Sequence, residues 1–297
     1  MAETVEIDSK KYPKALKEAL KNLVGSLGSK RLYYKGNWSD EIFENCLAVV
    51  GSRHLTTYGK RATEQLVTEI AAAGVTIVSG FMYGGDEAAH SAAVKCGGKT
   101  IAVMPCGIDL IHPAHQKELY QKILDTGGLI ISEYEGAAQP QTFTYIQRDR
   151  IVAGLSKAVL VTEAALESGS LITASYAKKY GRKIFALPGQ ITSEVSKGTI
   201  KLIKEGAYPV TEAKDILDFF KILPSAKKNV QPAFAEASAG KCDTLENKII
   251  EQLRREPLKA DELARLFSVP VAKLGTSLSL MQLKGFINSD NGKYHLN

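Results

Sequence analysis

Three short stretches of the 297-residue chain combine residue types that suit a phosphate-bearing ligand. Glycine lets the backbone approach a phosphate, hydroxyl and amide groups donate hydrogen bonds to it, and arginine offers a bidentate fork. The candidate binding residues are Gly51, Ser52, Arg53, Tyr145, Arg148, Arg150, Ser168, Gly169 and Ser170. Each stretch alone is common in proteins, so the prediction depends on the fold bringing them together.

The stretch around Arg148 and Arg150 also carries aromatic side chains, because Phe143 and Tyr145 precede the two arginines. Single-stranded nucleic acid presents a π-face on every base and a charge on every phosphate, so aromatic and basic side chains bind it together. The same residues also have structural interpretations: the rings can belong to the core, and the arginines can form internal ion pairs with Asp149. The pattern indicates an oligonucleotide site and leaves those interpretations open.

Enzyme motifs are absent or misplaced. Residues 93–100, AVKCGGKT, lack the first glycine of a P-loop, and their Gly-Lys-Thr leads into a strand where a P-loop follows one. No G-x-S-x-G nucleophile motif occurs. Asp86 and His90 lie four residues apart on a predicted helix, where we expect a simple pair. Glu163 is one carboxylate placed to act, with a helix-capping role equally open. We predict no catalytic residue and a protein that is not an enzyme.

Metal sites and membrane segments are also not indicated. Four cysteines are scattered without a C-x-x-C pair, which favours neither a zinc site nor a disulfide framework. We predict no metal and no cofactor. No apolar run approaches the roughly 18 residues that span a bilayer, and the first residues lack the layout of a signal peptide. The expectation is a cytoplasmic protein with no membrane partner.

Charge restricts where a polyanion can bind. The net charge is +6, but residues 31–220 contain 20 basic and 20 acidic side chains. Any polyanion site within these residues must therefore be a local cluster and not a general basic field.

Six short apolar runs, typical of strands buried on both faces, must position the candidate residues. They alternate with helical patterns. Strand and helix repeated in this order predict an α/β fold with a doubly wound, mostly parallel sheet. One helical segment is 60–74, closed by Gly74. In such sheets ligands bind beyond the carboxyl ends of the strands. The predicted strands are 46–52, 75–80, 100–105, 128–133, 157–163 and 183–189.

The last quarter of the chain predicts a separate, smaller domain. Residues 221–242 contain two prolines and no periodicity, and are typical of a linker. Residues 243–297 contain three helical patterns and a hairpin signal, which together predict a winged helix. With a helical extension over 1–30, the main domain is predicted to occupy 31–220.

The order and spacing of motifs across residues 31–220 resemble the core of the DprA/Smf family. No single short motif carries this resemblance, which makes it specific. The motifs are Val50-Gly51-Ser52-Arg53, Ser79-Gly80, Gly84, Asp86, Ala89, His90, Gly107-Ile108-Asp109, Ser132-Glu133, 148–156, 168–174 and Pro188-Gly189.

The resemblance implies an extended Rossmann-like domain that binds single-stranded DNA in a basic pocket, forms a homodimer and loads the RecA recombinase, in natural transformation or related DNA uptake. It places Arg53 in the family's phosphate motif, and Arg148 and Arg150 in its Arg-Asn-Arg. Tyr145 stands where the family usually has phenylalanine, and Asp149 replaces the usual asparagine.

Two alternatives remain open at this point. Related Rossmann-like folds include nucleoside-monophosphate phosphoribohydrolases, whose Pro-Gly-Gly-x-Gly-Thr motif is cut short here at Pro188-Gly189-Gln190. The winged helix can also be a transcriptional reader, although its third helix, 271–285, carries only Lys273 and Lys284 as basic residues.

Overall fold

The chain divides into two compact units, Met1–Ala226 and Lys227–Asn297. The computed structural model describes residues 2–21, 31–223, 244–290 and 292–296. Beyond residue 223, the predicted linker lies outside the described residues.

The first unit is organised around a mostly parallel sheet, which confirms the predicted fold class. Its described strands are β1 (Glu3–Glu6), β2 (Arg31–Gly36), β3 (Cys46–Val50), β4 (Thr76–Ser79), β5 (Thr100–Gly107), β6 (Leu129–Tyr134), β7 (Ala158–Val161), β8 (Lys183–Ala186) and β9 (Tyr208–Pro209). Their spatial order is β1-β2-β6-β5-β4-β3-β7-β8-β9. The pairs β1-β2 and β2-β6 are antiparallel, and the other pairs are parallel.

Helices cover both faces of this sheet. The described helices of the first unit are α1 (Lys14–Lys21), α2 (Thr57–Ala72), α3 (Gly85–Lys95), α4 (Lys117–Asp125), α5 (Thr142–Leu155), α6 (Ser170–Lys179), α7 (Lys197–Lys204) and α8 (Ala213–Phe220). Short 3₁₀ turns occupy Asp40–Phe43, Ala114–Gln116 and Glu194–Ser196.

The strand β3 shows how the core is divided. All five of its residues are buried, and their side chains alternate between the two faces. Leu47 and Val49 join a cluster with α2, α3 and α8, whereas Ala48 and Val50 join one with α1, α5 and α6. A strand buried on both faces needs apolar residues at every position, which is why its run is continuous.

The chain reverses its direction across the sheet beside β3. From β3 it proceeds through β4 and β5 to β6, then returns to place β7 on the other side of β3. At such a switch point the loops after two neighbouring strands diverge and leave a crevice. The loops after β3, β4 and β7 therefore frame a ligand site.

The second unit is a small winged helix, as predicted. It contains α9 (Thr244–Leu253), β10 (Leu258–Lys259), α10 (Ala260–Phe267), α11 (Val271–Leu283), β11 (Ile287–Asp290) and β12 (Lys293–Leu296). The strands pair antiparallel in the order β10-β12-β11, and β10 is a strand that the sequence did not indicate. Fully buried Ile249, Leu263, Leu274 and Leu278 form its core.

Candidate functional site

A cavity of about 600 Å³ lies at the switch point, in the crevice after β3, β4 and β7. Eight of the nine predicted site residues line it, and Arg150 does not. The lining residues are Val50, Gly51, Ser52, Arg53, His54, Gly80, Met82, Tyr83, Asp86, Thr142, Tyr145, Ile146, Arg148, Asp149, Val152, Ala165, Glu167, Ser168, Gly169, Ser170, Ile172 and Thr173.

The loop after β3 is held from two sides. The Ser52 amide donates to the backbone oxygen of Glu163 (2.7 Å), and the backbone oxygen of Ser52 accepts from the Gly85 amide (3.0 Å). Gly84 has φ 70°, and a Cβ there would collide with the Ser52 oxygen, so this close approach of two loops needs glycine. The next residue, Arg53, is exposed on a well-fixed backbone.

The guanidinium group of Arg53 lies over the ring of Tyr145, 5.4 Å from its centroid. The Tyr145 hydroxyl is in turn 2.9 Å from Nε2 of His112. Burial, followed by the charge of Arg53, lowers the pKa of His112, which keeps that imidazole neutral at pH 7. Within residues 31–223 no carboxylate forms an ion pair with Arg53, so its charge is available to a ligand.

Arg148 lines the cavity but is already engaged. Its Nη1 donates to the backbone oxygens of Gly80 and Val103 (2.6 Å for Val103), and its Nε donates to Oδ1 of Asp149 (3.0 Å). Only 5% of the side chain is exposed. Arg148 thus ties α5 to the residue that follows β4 and to the middle of β5, and places a positive charge in the cavity wall.

Asp149 brings a second carboxyl group into the cavity, near Asp86. Burial, opposed by Arg148 and assisted by Asp86, raises the pKa of Asp149 to about 6. Burial also raises the pKa of Asp86, which accepts a hydrogen bond from the Met82 amide (3.2 Å). Near neutral pH the protonation of Asp149 therefore sets part of the local charge.

Arg150 does not join this cluster, which corrects the expectation that three arginines gather there. It is buried, and its Nη2 donates to Oε1 of Glu133 at 2.6 Å. The reason is helical geometry, because residues two apart on an α-helix point about 200° apart. Arg148 and Arg150 both lie on α5, so they cannot face the same cavity.

The Ser168-Gly169-Ser170 stretch leads into α6, as the sequence indicated. The Ser168 and Ser170 hydroxyls are 2.8 Å apart, and the Ser170 amide donates to the Ser168 hydroxyl (3.4 Å). Ser170 is the first residue of α6, where the helix dipole favours an anion. The amides of Leu171 and Ile172 already donate to the backbone oxygens of Ser168 (3.0 Å) and Gly169 (2.9 Å).

Tyr83 is among the lining residues that sequence reasoning missed, and the role of Glu163 was left open. Tyr83 lines the cavity with 43% of its surface exposed; it follows the Ser79-Gly80 motif closely, so its position could have signalled it. Glu163 holds the residue that caps α2, since its two carboxylate oxygens accept from the Thr56 hydroxyl (2.6 Å) and the Thr56 amide (2.8 Å).

The expected pairing of Asp86 with His90 is wrong. The Nδ1 atom of His90 is 2.8 Å from the Thr100 hydroxyl, whereas Asp86 accepts from the Met82 amide. Burial lowers the pKa of His90 to about 3, so this side chain is a neutral part of the core.

The described residues contain neither a cluster suited to a metal ion nor a helix suited to a membrane. No group of three or more His, Cys, Asp or Glu side chains there is arranged to hold a metal ion. No described helix is long and apolar enough to cross a membrane.

Family models match both units of the chain. The model for DNA recombination-mediator protein A matches residues 3–221, and the model for the DprA winged helix domain matches residues 232–293.

Curated proteins resemble the chain over most of its length. The Smf protein of Escherichia coli is 38% identical over 252 residues, a match that covers 84% of this chain and 67% of that protein. The DNA processing protein DprA of Streptococcus pneumoniae is 43% identical over 190 residues, which covers 64% of this chain and 66% of that one. The chain spans about two thirds of the length of these two relatives.

Solved structures agree with these matches. The crystal structure of DprA from Streptococcus pneumoniae has a TM-score of 0.66 and 39% identity, and the match covers 73% of each chain. A structure of DprA from Helicobacter pylori, which concerns the single-stranded DNA binding mode of that protein, has a TM-score of 0.64 and 31% identity. That match covers 74% of this chain and 96% of the other.

Proposed function

The chain belongs to the DprA/Smf family of DNA recombination-mediator proteins, and from this premise we propose that it binds single-stranded DNA in the cavity at the switch point, without catalysing a reaction on it. The bound strand is then available to recombination. The proposal concerns the first unit and assigns the DNA contact to Arg53, Tyr145, Arg148 and the Ser168-Gly169-Ser170 stretch.

The observation that carries this proposal is the placement of Arg53 over the Tyr145 ring at the cavity. Single-stranded nucleic acid needs a cation for its phosphates beside an aromatic face for its bases. The Ser168 and Ser170 hydroxyl groups line the cavity and supply further donors to a phosphate, at the N-terminal end of α6, where the helix dipole favours an anion. Arg148 adds a charge from the wall, although its hydrogen bonds to carbonyl oxygens make it mainly a positioning residue.

The absence of catalysis is part of the proposal. A phosphoribohydrolase-like mechanism would require the carboxylate of Glu163. Both oxygens of this carboxylate already accept hydrogen bonds from Thr56 at the start of α2. Pro188-Gly189 continues with Gln190, so the glycine-rich motif of those enzymes is incomplete. Incubation with nucleoside monophosphates should release no free base by chromatography.

Salt-dependent binding of oligo-dT tests the proposal. Arg53→Ala should weaken binding about tenfold, and the slope of log K against log salt should fall by about 0.7, the value for one phosphate contact on a single strand. Arg61→Ala is the matched control, because Arg61 is exposed and does not line the cavity. It should leave both quantities almost unchanged.

Two results would contradict the proposal. One is no binding of oligo-dT by the wild-type chain at low salt, about 50 mM. The other is equal affinity and salt slope for the Arg53 and Arg61 variants, because the cation at the cavity would then play no part.

Partners and compartment complete the proposal. Family membership supports a homodimer that hands single-stranded DNA to the RecA recombinase in the cytoplasm. Light scattering at several protein concentrations measures the dimer. RecA filament formation on DNA coated with single-strand-binding protein, with and without this chain, measures the transfer.

A further inference from the structure

Tyr83 and His115 form a stacked pair beside the cavity. Their ring centroids are 5.2 Å apart and their planes differ by 8°. Tyr83 lies in the loop between β4 and α3, and His115 lies in the 3₁₀ turn before α4, so two separate loops build the pair. Tyr83 also lines the cavity.

The backbone on both sides of Tyr83 is fixed. The Met82 amide donates to Asp86 (3.2 Å), and the Met82 oxygen accepts from the Gln116 amide group (3.4 Å). On the other side, Gly84 is packed against the loop that carries Arg53. The ring is therefore held in place before any ligand arrives, which reduces the entropy cost of stacking on it.

The tyrosine is held without being buried. It keeps 43% of its surface exposed although one face is stacked on an imidazole. A ring that contributed only to the core would be covered, whereas a flat, fixed and half-exposed ring in a cavity wall suits another planar group. Nucleobases are such groups, and stacking on aromatic side chains tolerates any base.

The position relative to Tyr145 supports the same ligand. Tyr83 and Tyr145 both line the cavity. Burial is the main cause that raises the pKa of Tyr145, and the nearby Tyr83 hydroxyl is one of the groups that raise this pKa further, so the two side chains lie close to each other. Arg53 lies over the Tyr145 ring. A phosphate bound by Arg53 would therefore lie in the same cavity as two aromatic side chains, Tyr83 and Tyr145.

We propose that Tyr83, backed by His115, is a stacking platform for one unpaired nucleobase of the strand whose phosphate Arg53 holds. This inference rests on the proposed function and adds a base contact to it. Tyr83 makes the contact and His115 is a positioning residue that fixes the plane of the ring. A strand that lacks bases gains nothing from this platform.

Oligonucleotide binding by Tyr83 variants tests the platform. Tyr83→Ala should weaken oligo-dT binding about tenfold, within the range for losing one stacked base. Its salt slope should equal that of the wild type, because stacking releases no counterions. Tyr83→Phe keeps the ring and should bind as the wild type does. Tyr208→Ala is the matched control, since Tyr208 is 45% exposed and does not line the cavity.

A spectroscopic measurement separates stacking from a general structural effect. The fluorescence of 2-aminopurine within the strand should be quenched on binding to wild type and Tyr83→Phe, and less so with Tyr83→Ala. His115→Ala should lose part of this quenching and His115→Phe should restore it. Thermal unfolding confirms that each variant is folded.

The outcomes distinguish this inference from the proposed function. If the wild type binds oligo-dT and Tyr83→Ala binds equally well, the platform is refuted while the proposed function stands. A fall in the salt slope of Tyr83→Ala would also refute it, because the residue would then act on phosphate. If an oligomer without bases binds as tightly as oligo-dT, no stacking platform exists. Failure of the wild type to bind any oligonucleotide overturns both.

Discussion

At the scale of single residues, the run Arg148-Asp149-Arg150 separates into three roles within one turn of α5. Arg148 bonds to Gly80 after β4 and to Val103 inside β5. Asp149 shares the cavity wall, and Arg150 pairs with Glu133 away from the cavity. Three charged neighbours in sequence therefore contribute very differently to one site. The only one whose charge changes near neutral pH is Asp149, because burial raises its pKa to about 6.

We expect Asp149→Asn to bind oligo-dT about tenfold more tightly than the wild type at about pH 8, and about equally at about pH 5. Above its pKa of about 6 the wild-type carboxylate is negative and repels phosphate, whereas below it the group is neutral. A unit charge about 10 Å from a phosphate is worth about 1.7 kcal/mol at an effective dielectric constant of about 20. Fluorescence anisotropy across this pH range measures the difference.

The comparison isolates Asp149 because both proteins retain the histidines near the cavity. Asp40→Asn is the charge-matched control, since Asp40 is exposed and does not line the cavity. If the ratio of the oligo-dT affinities of Asp149→Asn and wild type is the same at every pH, titration of Asp149 does not control DNA binding.

Most of the candidate site could be predicted from the sequence. The predicted residue that does not line the cavity, Arg150, departs for a physical reason. Arg53 and Ser170 follow buried strands closely, so their place at the sheet edge follows from topology alone. Arg150 lies inside a helix, where a displacement of two residues reverses the direction of the side chain. Sequence proximity is a good guide to position in a loop and a poor one in a helix.

At the scale of elements, Glu163 connects the loop after β7 to the start of α2. Its carboxylate accepts from the hydroxyl and amide of Thr56, and its backbone oxygen accepts from Ser52. A Cβ on Gly59 would collide with this carboxylate, so that position must stay small. The segment that carries Arg53 is therefore fixed at both ends by one residue.

We expect Glu163→Gln to lower stability and DNA affinity together. A glutamine offers one acceptor where two are needed, and losing a hydrogen bond to a charged group costs about 1.5–3 kcal/mol. This corresponds to a fall of about 3–12 °C in the melting temperature, at about 2–4 °C per kcal/mol. Oligo-dT binding should weaken, although the substitution removes a negative charge. Calorimetry and anisotropy measure the two effects.

Glu167→Gln separates positioning from electrostatics. Glu167 is exposed and lines the cavity, so its loss removes the same charge without touching the Thr56 contacts. This variant should keep its melting temperature and bind oligo-dT at least as tightly as wild type. Tighter binding by Glu163→Gln would show that its charge matters more than its hydrogen bonds.

The strands of the first unit that the sequence did not reveal are β1, β2 and β9, which flank the six predicted strands. The six central strands are continuous apolar runs and were predicted within a few residues. By contrast, β1 has four residues of which only Val5 is buried, and β9 has only two residues, both exposed. Edge strands bury little surface, so they leave little pattern in the sequence.

At the scale of the whole molecule, the two units differ in what they offer to DNA. The first has a cavity with a cation and aromatic rings. In the second, α11 carries Lys273, and Lys284 at its end lies 3.7 Å from Glu246. Duplex readers usually concentrate positive charge on the third helix, which this unit does not do in its described residues.

We therefore expect a chain truncated after Ala226 to bind oligo-dT within about twofold of the full chain, because phosphate contacts dominate affinity and the contacts proposed here lie in the first unit. Residues 2–21 should be retained, since Leu16 and Ala19 of α1 pack close to Gly154 of α5. Lys273→Ala in the full chain should leave affinity unchanged for both single-stranded and duplex DNA. Loss of most oligo-dT binding on truncation, with the first unit still folded by thermal unfolding, would move the DNA site to the winged helix and leave the cavity as a scaffold.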